Sequence, residues 1–266
     1  MHIPVPVPTW ALAMTAAVAG LAVGSCLTAL ADRVMGDRVK GDRVKGGAGA
    51  AHPPGPLAQA GRRQACGPAP TAVPIGGWLF PIGGWDLLVE LGTGACFAVM
   101  ALRFGLSPVL PAFLLLAALS PALAVIDLRW RRLPDPLTLP AYPAAALLLA
   151  AGAMAIPGGA RHFLSALAGL AAAWLFFALL AFIYPAGLGW GDVKLSGVLG
   201  LYLGWLGAAA VAAGLLGAFV LAALAGLGLI ATGRATRKSH IPFGPFMLAS
   251  AIAVIAVGGP AGSHFL

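Results

Sequence analysis

Long uncharged stretches alternate with short charged ones along the chain. Five read directly as helices able to cross a bilayer: 10–31, 87–102, 106–126, 136–156 and 163–184. The second is short and carries Glu90 near its start. From Leu195 to Gly233 there follow 39 uncharged residues, about 58 Å as helix. That is twice a bilayer core, which predicts two short helices hinged near Gly204–Gly207. A last stretch, 243–259, completes eight. The expected fold class is all-α: a polytopic membrane helix bundle of about eight transmembrane helices. It divides into 1–86, a first helix with a long loop, and 87–266, a seven-helix core.

The basic residues test that count. With eight spans and an outside N-terminus, the inside loops are 32–86, 127–135, 185–194 and 234–242. They hold 14 Lys and Arg, while the outside segments hold only Arg103 and Arg161. A single span over 195–233 would put the later loops on the other side, leaving 11 inside and 5 outside. The positive-inside rule prefers eight spans, with both termini outside the plasma (inner) membrane.

Composition agrees. Of 266 residues 60% are hydrophobic and only 9% charged, with a mean hydropathy of +0.94. A soluble globule needs far more polar surface, so a soluble enzyme is excluded, as is disorder. The net charge of +8 suggests nucleic acid at first sight. Its confinement to short connecting segments points to anionic lipid instead, so membrane lipids are expected partners and nucleic acid is not. Three cysteines (Cys26, Cys66 and Cys96) give neither a disulfide framework nor a metal quartet. The N-terminus lacks the basic region of a signal peptide, and its uncharged run is long enough to span. After it comes a pentapeptide repeat, DRVMG-DRVKG-DRVKG over residues 32–46, then a Gly/Ala/Pro-rich run to about Pro74. A flexible basic juxtamembrane tract is the plain expectation there, with lipid binding or substrate steering as the alternative.

Acids are scarce enough to weigh singly. Asp32, Asp37 and Asp42 have Arg neighbours in the repeat, and Asp86 and Glu90 suit a helix start. Asp127 and Asp192 differ, each falling at the same-side end of an otherwise uncharged span. An ionisable group at such depth suggests function. Two carboxylates on one membrane face suggest an acid/base dyad sharing a proton. Asp192 sits in Gly189-Trp190-Gly191-Asp192-Val193-Lys194, where the glycines allow close approach and unusual dihedrals at a helix entry. Lys194 is placed to moderate the charge of Asp192. Asp127 opens a basic loop closed by Pro134, with Asp135 starting the next helix as its cap or as a substrate contact.

These residues resemble the type IV prepilin leader peptidases, aspartic proteases of the GxGD class. The matching pieces are DLRWRRLPDPLTLP (127–140), GWGDVKLSGVLGLYLGW (189–205) and IPFGPF (241–246), with LVELGTGACFAVMALRFG (88–105) and Gly24-Ser25 as further likenesses. The resemblance implies a membrane aspartic protease with Asp127 and Asp192 as catalytic pair and Gly189, Gly191, Lys194 and Asp135 in support. It would cut the leader from prepilins or pseudopilins at the cytoplasmic face, with no cofactor for proteolysis.

Two departures bear on what carries over. Many members hold zinc with two CxxC pairs in the first cytoplasmic loop, whereas this loop has only Cys66, so no metal is expected. Such members often also methylate the new N-terminus with S-adenosylmethionine. That activity is associated with the N-terminal region, rewritten here by the repeat, so methylation stays open. The remaining residues read as structural. His2, His52, His162, His240 and His264 lack ligand-like partners, Trp78, Trp85, Trp130, Trp190 and Trp205 suit an aromatic belt, and Cys26 and Cys96 suit buried small hydrophobes. The rival classes are a proton-coupled transporter, which would hold its acids near mid-membrane in broken helices, and a non-catalytic secretion component.

Overall fold

A computed structural model describes residues 8–47, 84–130, 133–184, 188–234 and 242–258. Cys66, Trp78 and the Gly/Ala/Pro-rich run lie outside them, as do His2, His52, His240 and His264. Helices α1 (Thr9–Gly47), α2 (Gly84–Phe104), α3 (Leu110–Trp130) and α4 (Asp135–Met154) form the first half. Then come α5 (Gly159–Ile183), α6 (Trp190–Leu206), α7 (Ala208–Ala231) and α8 (Gly244–Val257). The described residues hold no strand, and six helices are long and apolar enough to cross a membrane: α1 to α5 and α7. The chain is a multi-pass helical membrane protein.

The predicted hinge in the 39-residue run falls at Gly207, between α6 and α7. Its φ of 117° is one that a side chain would resist, and its N–H bonds back to the carbonyls of Leu203 and Gly204. One expectation is corrected at the first helix. The repeat, expected to be flexible, continues α1 without a break to Gly47.

Helix α6 forms the centre. It is buried on every side from Leu195 to Trp205, consistent with a sequence that is apolar all round. It lies against α5 where glycines let the backbones touch: a Cβ at Gly169 would stand 2.4 Å from the Gly200 carbonyl oxygen. A Cβ at Gly204 would stand 2.6 Å from that of Ser165. The same device joins α1 to α2, where a Cβ at Gly24 would meet the Glu90 backbone at 2.8 Å. Beside that contact Ser25 Oγ donates to Glu90 Oε1 at 2.8 Å. Helices α1 and α7 turn large apolar side chains outward, Trp10, Val18, Leu224 and Leu227 among them. Lipid, not water, suits that surface.

Two belt and core expectations are corrected here. Trp205 does not face outward in a belt but is 2% exposed inside the bundle, with its carbonyl oxygen 3.1 Å from His162 Nδ1. Cys26 is exposed on α1, and Cys96 is half-buried.

Candidate active site

Asp127 lies in the last turn of α3 and Asp192 in the first turn of α6. The bundle brings the two ends together, with Asp192 within electrostatic range of Asp127. Asp127 is 5% exposed and Asp192 half-buried. Both sit where only the ends of spans do, not at the middle of a broken helix.

Each carboxylate also meets the start of a helix. The first N–H groups of a helix lack intrahelical acceptors and carry partial positive charge, so they suit an anion. Asp127 Oδ2 accepts from the backbone N–H of Gly244, the first residue of α8, at 3.1 Å. A Cβ at Gly244 would lie 2.7 Å from that oxygen, so glycine is what lets the carboxylate in. Asp192 is the third residue of α6, with its carboxylate turned toward the N–H of Gly189, the cap residue. Its own N–H donates to the Gly189 carbonyl at 3.0 Å. Asp192 thus stands at the position from which Glu or Gln reaches back in a capping box.

The glycines flanking Asp192 work differently from expectation. Gly189 has φ −78° and ψ 147°, an ordinary extended conformation rather than an unusual one. Gly191 provides close approach: a Cβ there would stand 3.3 Å from the Leu133 side chain, on the segment joining α3 to α4.

Lys194 and Asp135 are also corrected. Lys194 Nζ lies 2.8 Å from Asp135 Oδ1, so the ammonium is engaged across the α4–α6 contact rather than set to moderate Asp192. Asp135 does not cap α4, because Pro134 holds the cap position without a side-chain bond. About two turns further along α4, the Tyr142 hydroxyl donates to the Lys194 carbonyl and covers Gly197. Helix α4 thereby grips α6 just past Asp192.

Sequence reasoning missed Gly244, Tyr142 and Phe243 as supports. The first and third lie in the IPFGPF motif, but their partners are far away in sequence. Phe243, the residue before Gly244, packs its ring on Phe219 at 5.1 Å and Phe177 at 5.9 Å. That cluster fixes the start of α8 against α5 and α7. Nothing in the sequence marks Tyr142. Among the described residues no group of three His, Cys, Asp or Glu is placed to hold a metal ion.

The profile of the type IV leader peptidase family matches residues 113–231. A "Prepilin leader peptidase/N-methyltransferase" of Burkholderia pseudomallei is 36% identical over 190 residues, covering 68% of this chain and 57% of the relative. Relatives of the same name in Bacillus subtilis and Aeromonas hydrophila are 31% and 33% identical, with 64% and 62% of their own lengths matched. The chain thus spans less than two thirds of the length of these curated relatives. No solved structure matches it. The matched residues hold both Asp127 and Asp192, and through them the chain is similar to the type IV leader peptidase family.

Proposed function

We propose that this protein is a membrane aspartic endopeptidase that removes the leader of prepilins or pseudopilins at the cytoplasmic face. Asp127 and Asp192 are its catalytic pair. The observation that carries this is two carboxylates at the ends of different helices and within electrostatic range of each other, with Asp127 bonded to the backbone N–H of Gly244. One ionised carboxylate takes a proton from water while its protonated neighbour donates to the scissile carbonyl oxygen. Which residue plays which part belongs to the coupled pair, not to either alone. Hydrolysis by this route draws on no cofactor, and the proposal covers proteolysis only.

The 14-to-2 distribution of basic residues supports placing this end of the bundle in the cytoplasm and both termini outside. Placement at span ends also favours a peptidase over a transporter, whose acids would sit near mid-membrane. The test is co-expression with a candidate prepilin, read as a gel shift of the cleaved product. Wild type should produce the shift, and Asp127→Asn and Asp192→Asn should each abolish it while still inserting normally. Cleavage by Asp127→Asn at near wild-type rate would refute the assignment.

A further inference from the structure

Helix α8 starts without the usual polar cap. Its cap residue is Phe243, which makes no side-chain hydrogen bond to the first N–H groups, where Ser, Thr, Asp or Asn ordinarily would. An acceptor comes from α3 instead: Asp127 Oδ2 accepts from the N–H of Gly244 at 3.1 Å. That one bond closes the start of α8 and also fixes the carboxylate. It can fix the carboxylate only as firmly as the first turn of α8 is itself held.

Three rings hold that turn. Phe243 packs on Phe219 of α7 with centroids 5.1 Å apart and on Phe177 of α5 at 5.9 Å. Phe177 and Phe219 stack on each other at 5.9 Å with an interplanar angle of 11°. Each ring touches both of the others, so none can shift alone. Phe177 is fully buried in the bundle core. Phe219 stands on a helix that buries only Val211, Gly214 and Ala218. Five residues before it, the Gly214 carbonyl accepts from Ser250 Oγ of α8 at 2.8 Å, which sets how α7 lies along α8.

We propose that Phe219 is a positioning residue for Asp127. Its ring holds Phe243, Phe243 sets the first turn of α8, and the Gly244 N–H of that turn aims the carboxylate. A largely outward-facing helix thereby acts on the chemistry without contributing a group to it. The inference rests on the peptidase reading above for its effect on catalysis, and on packing alone for its effect on α8.

The test uses full-length protein in lipid nanodiscs, with two readouts. Phe219→Leu and Phe219→Met each keep an apolar side chain but lose the flat ring. The first readout is hydrogen exchange in the segment Pro242–Met247. Exchange there should be about tenfold faster in both variants, the order that an aromatic contact supports, and unchanged over Leu195–Trp205. The second is cleavage of a purified prepilin. There kcat should fall about tenfold with KM unchanged, because the ring aims a reacting group and binds no substrate. Phe219→Tyr, which restores the ring, should restore kcat. In a Gly244→Ala background, Phe219→Leu should cost almost nothing further, because both changes act on the same bond. Leu216→Ala, on the same helix and 65% exposed before substitution, should match wild type in both readouts. Unchanged exchange at the start of α8 overturns the proposal, as does a change in KM alone or a full further loss beside Gly244→Ala. A wild type that cuts no prepilin overturns the peptidase reading instead, and exchange then still decides whether Phe219 holds that turn.

Discussion

Gly244 stands so close to Asp127 that a single methyl group between them would push the carboxylate off its backbone donor. The substitution Gly244→Ala should therefore slow prepilin cleavage by about 10²-fold, the cost expected when a reacting group shifts by about an ångström. Membrane insertion and expression should be unchanged. A gel-shift time course in co-expressing cells measures this, and cleavage at the wild-type rate would show that Asp127 does not need that N–H.

The pair itself should titrate as a unit. Hydrolysis requires one ionised and one protonated carboxyl. The rate should fall at low pH, where both are protonated, and fall again at high pH, where both are ionised. A bell-shaped profile with purified enzyme and a prepilin peptide is the expected result. The double variant Asp127→Asn/Asp192→Asn should be no slower than either single one. A rate flat across the range would exclude the shared-proton arrangement.

The Asp135–Lys194 pair calls for a smaller effect. Its side chains are 47% and 35% exposed, so solvent screens them and the pair contributes little to stability. Asp135→Asn keeps an acceptor for Lys194 and should retain most activity. Asp135→Lys sets two cations together beside the α6 entry and should lose more, with Lys194→Asp in the same chain restoring part of it. Cleavage assays on the three variants decide. No rescue in the exchanged pair would show that the contact is not electrostatic.

The glycine crossing of α5 and α6 predicts a contrast within the bundle. A Cβ at Gly204 would run into the Ser165 carbonyl and the Gly169 backbone, whereas at Gly228 on α7 nothing lies within 4 Å. Gly204→Val should lower the yield of folded protein sharply, and Gly228→Val should not. Detergent-extracted yield and melting temperature report this directly.

Much of this architecture was legible before any coordinates. The periodic loss of charge marks the spans, and the 39-residue run predicts its own hinge because no single helix of that length suits one bilayer. Asp127 and Asp192 stood out because charge is so scarce. What stayed hidden was partnership across the fold. Lys194 lies two residues from Asp192 yet binds Asp135, and Trp205 lies at a span end yet is buried by helices from elsewhere. Linear distance cannot report such choices, because packing between helices makes them. The backbone N–H of Gly244 is subtler still, since every residue but proline carries one and only the fold decides which is aimed at a carboxylate.

The unbroken run of α1 through its pentapeptide repeat turns a sequence curiosity into a mechanical element. In a helix, each five-residue unit adds about 7.5 Å of length and about 140° of rotation. Gain or loss of one copy would thus change both how far the rod reaches and the compass direction in which the chain leaves it. The bearing of everything tethered beyond Gly47 is therefore set by the number of copies, independently of the helices that carry Asp127 and Asp192.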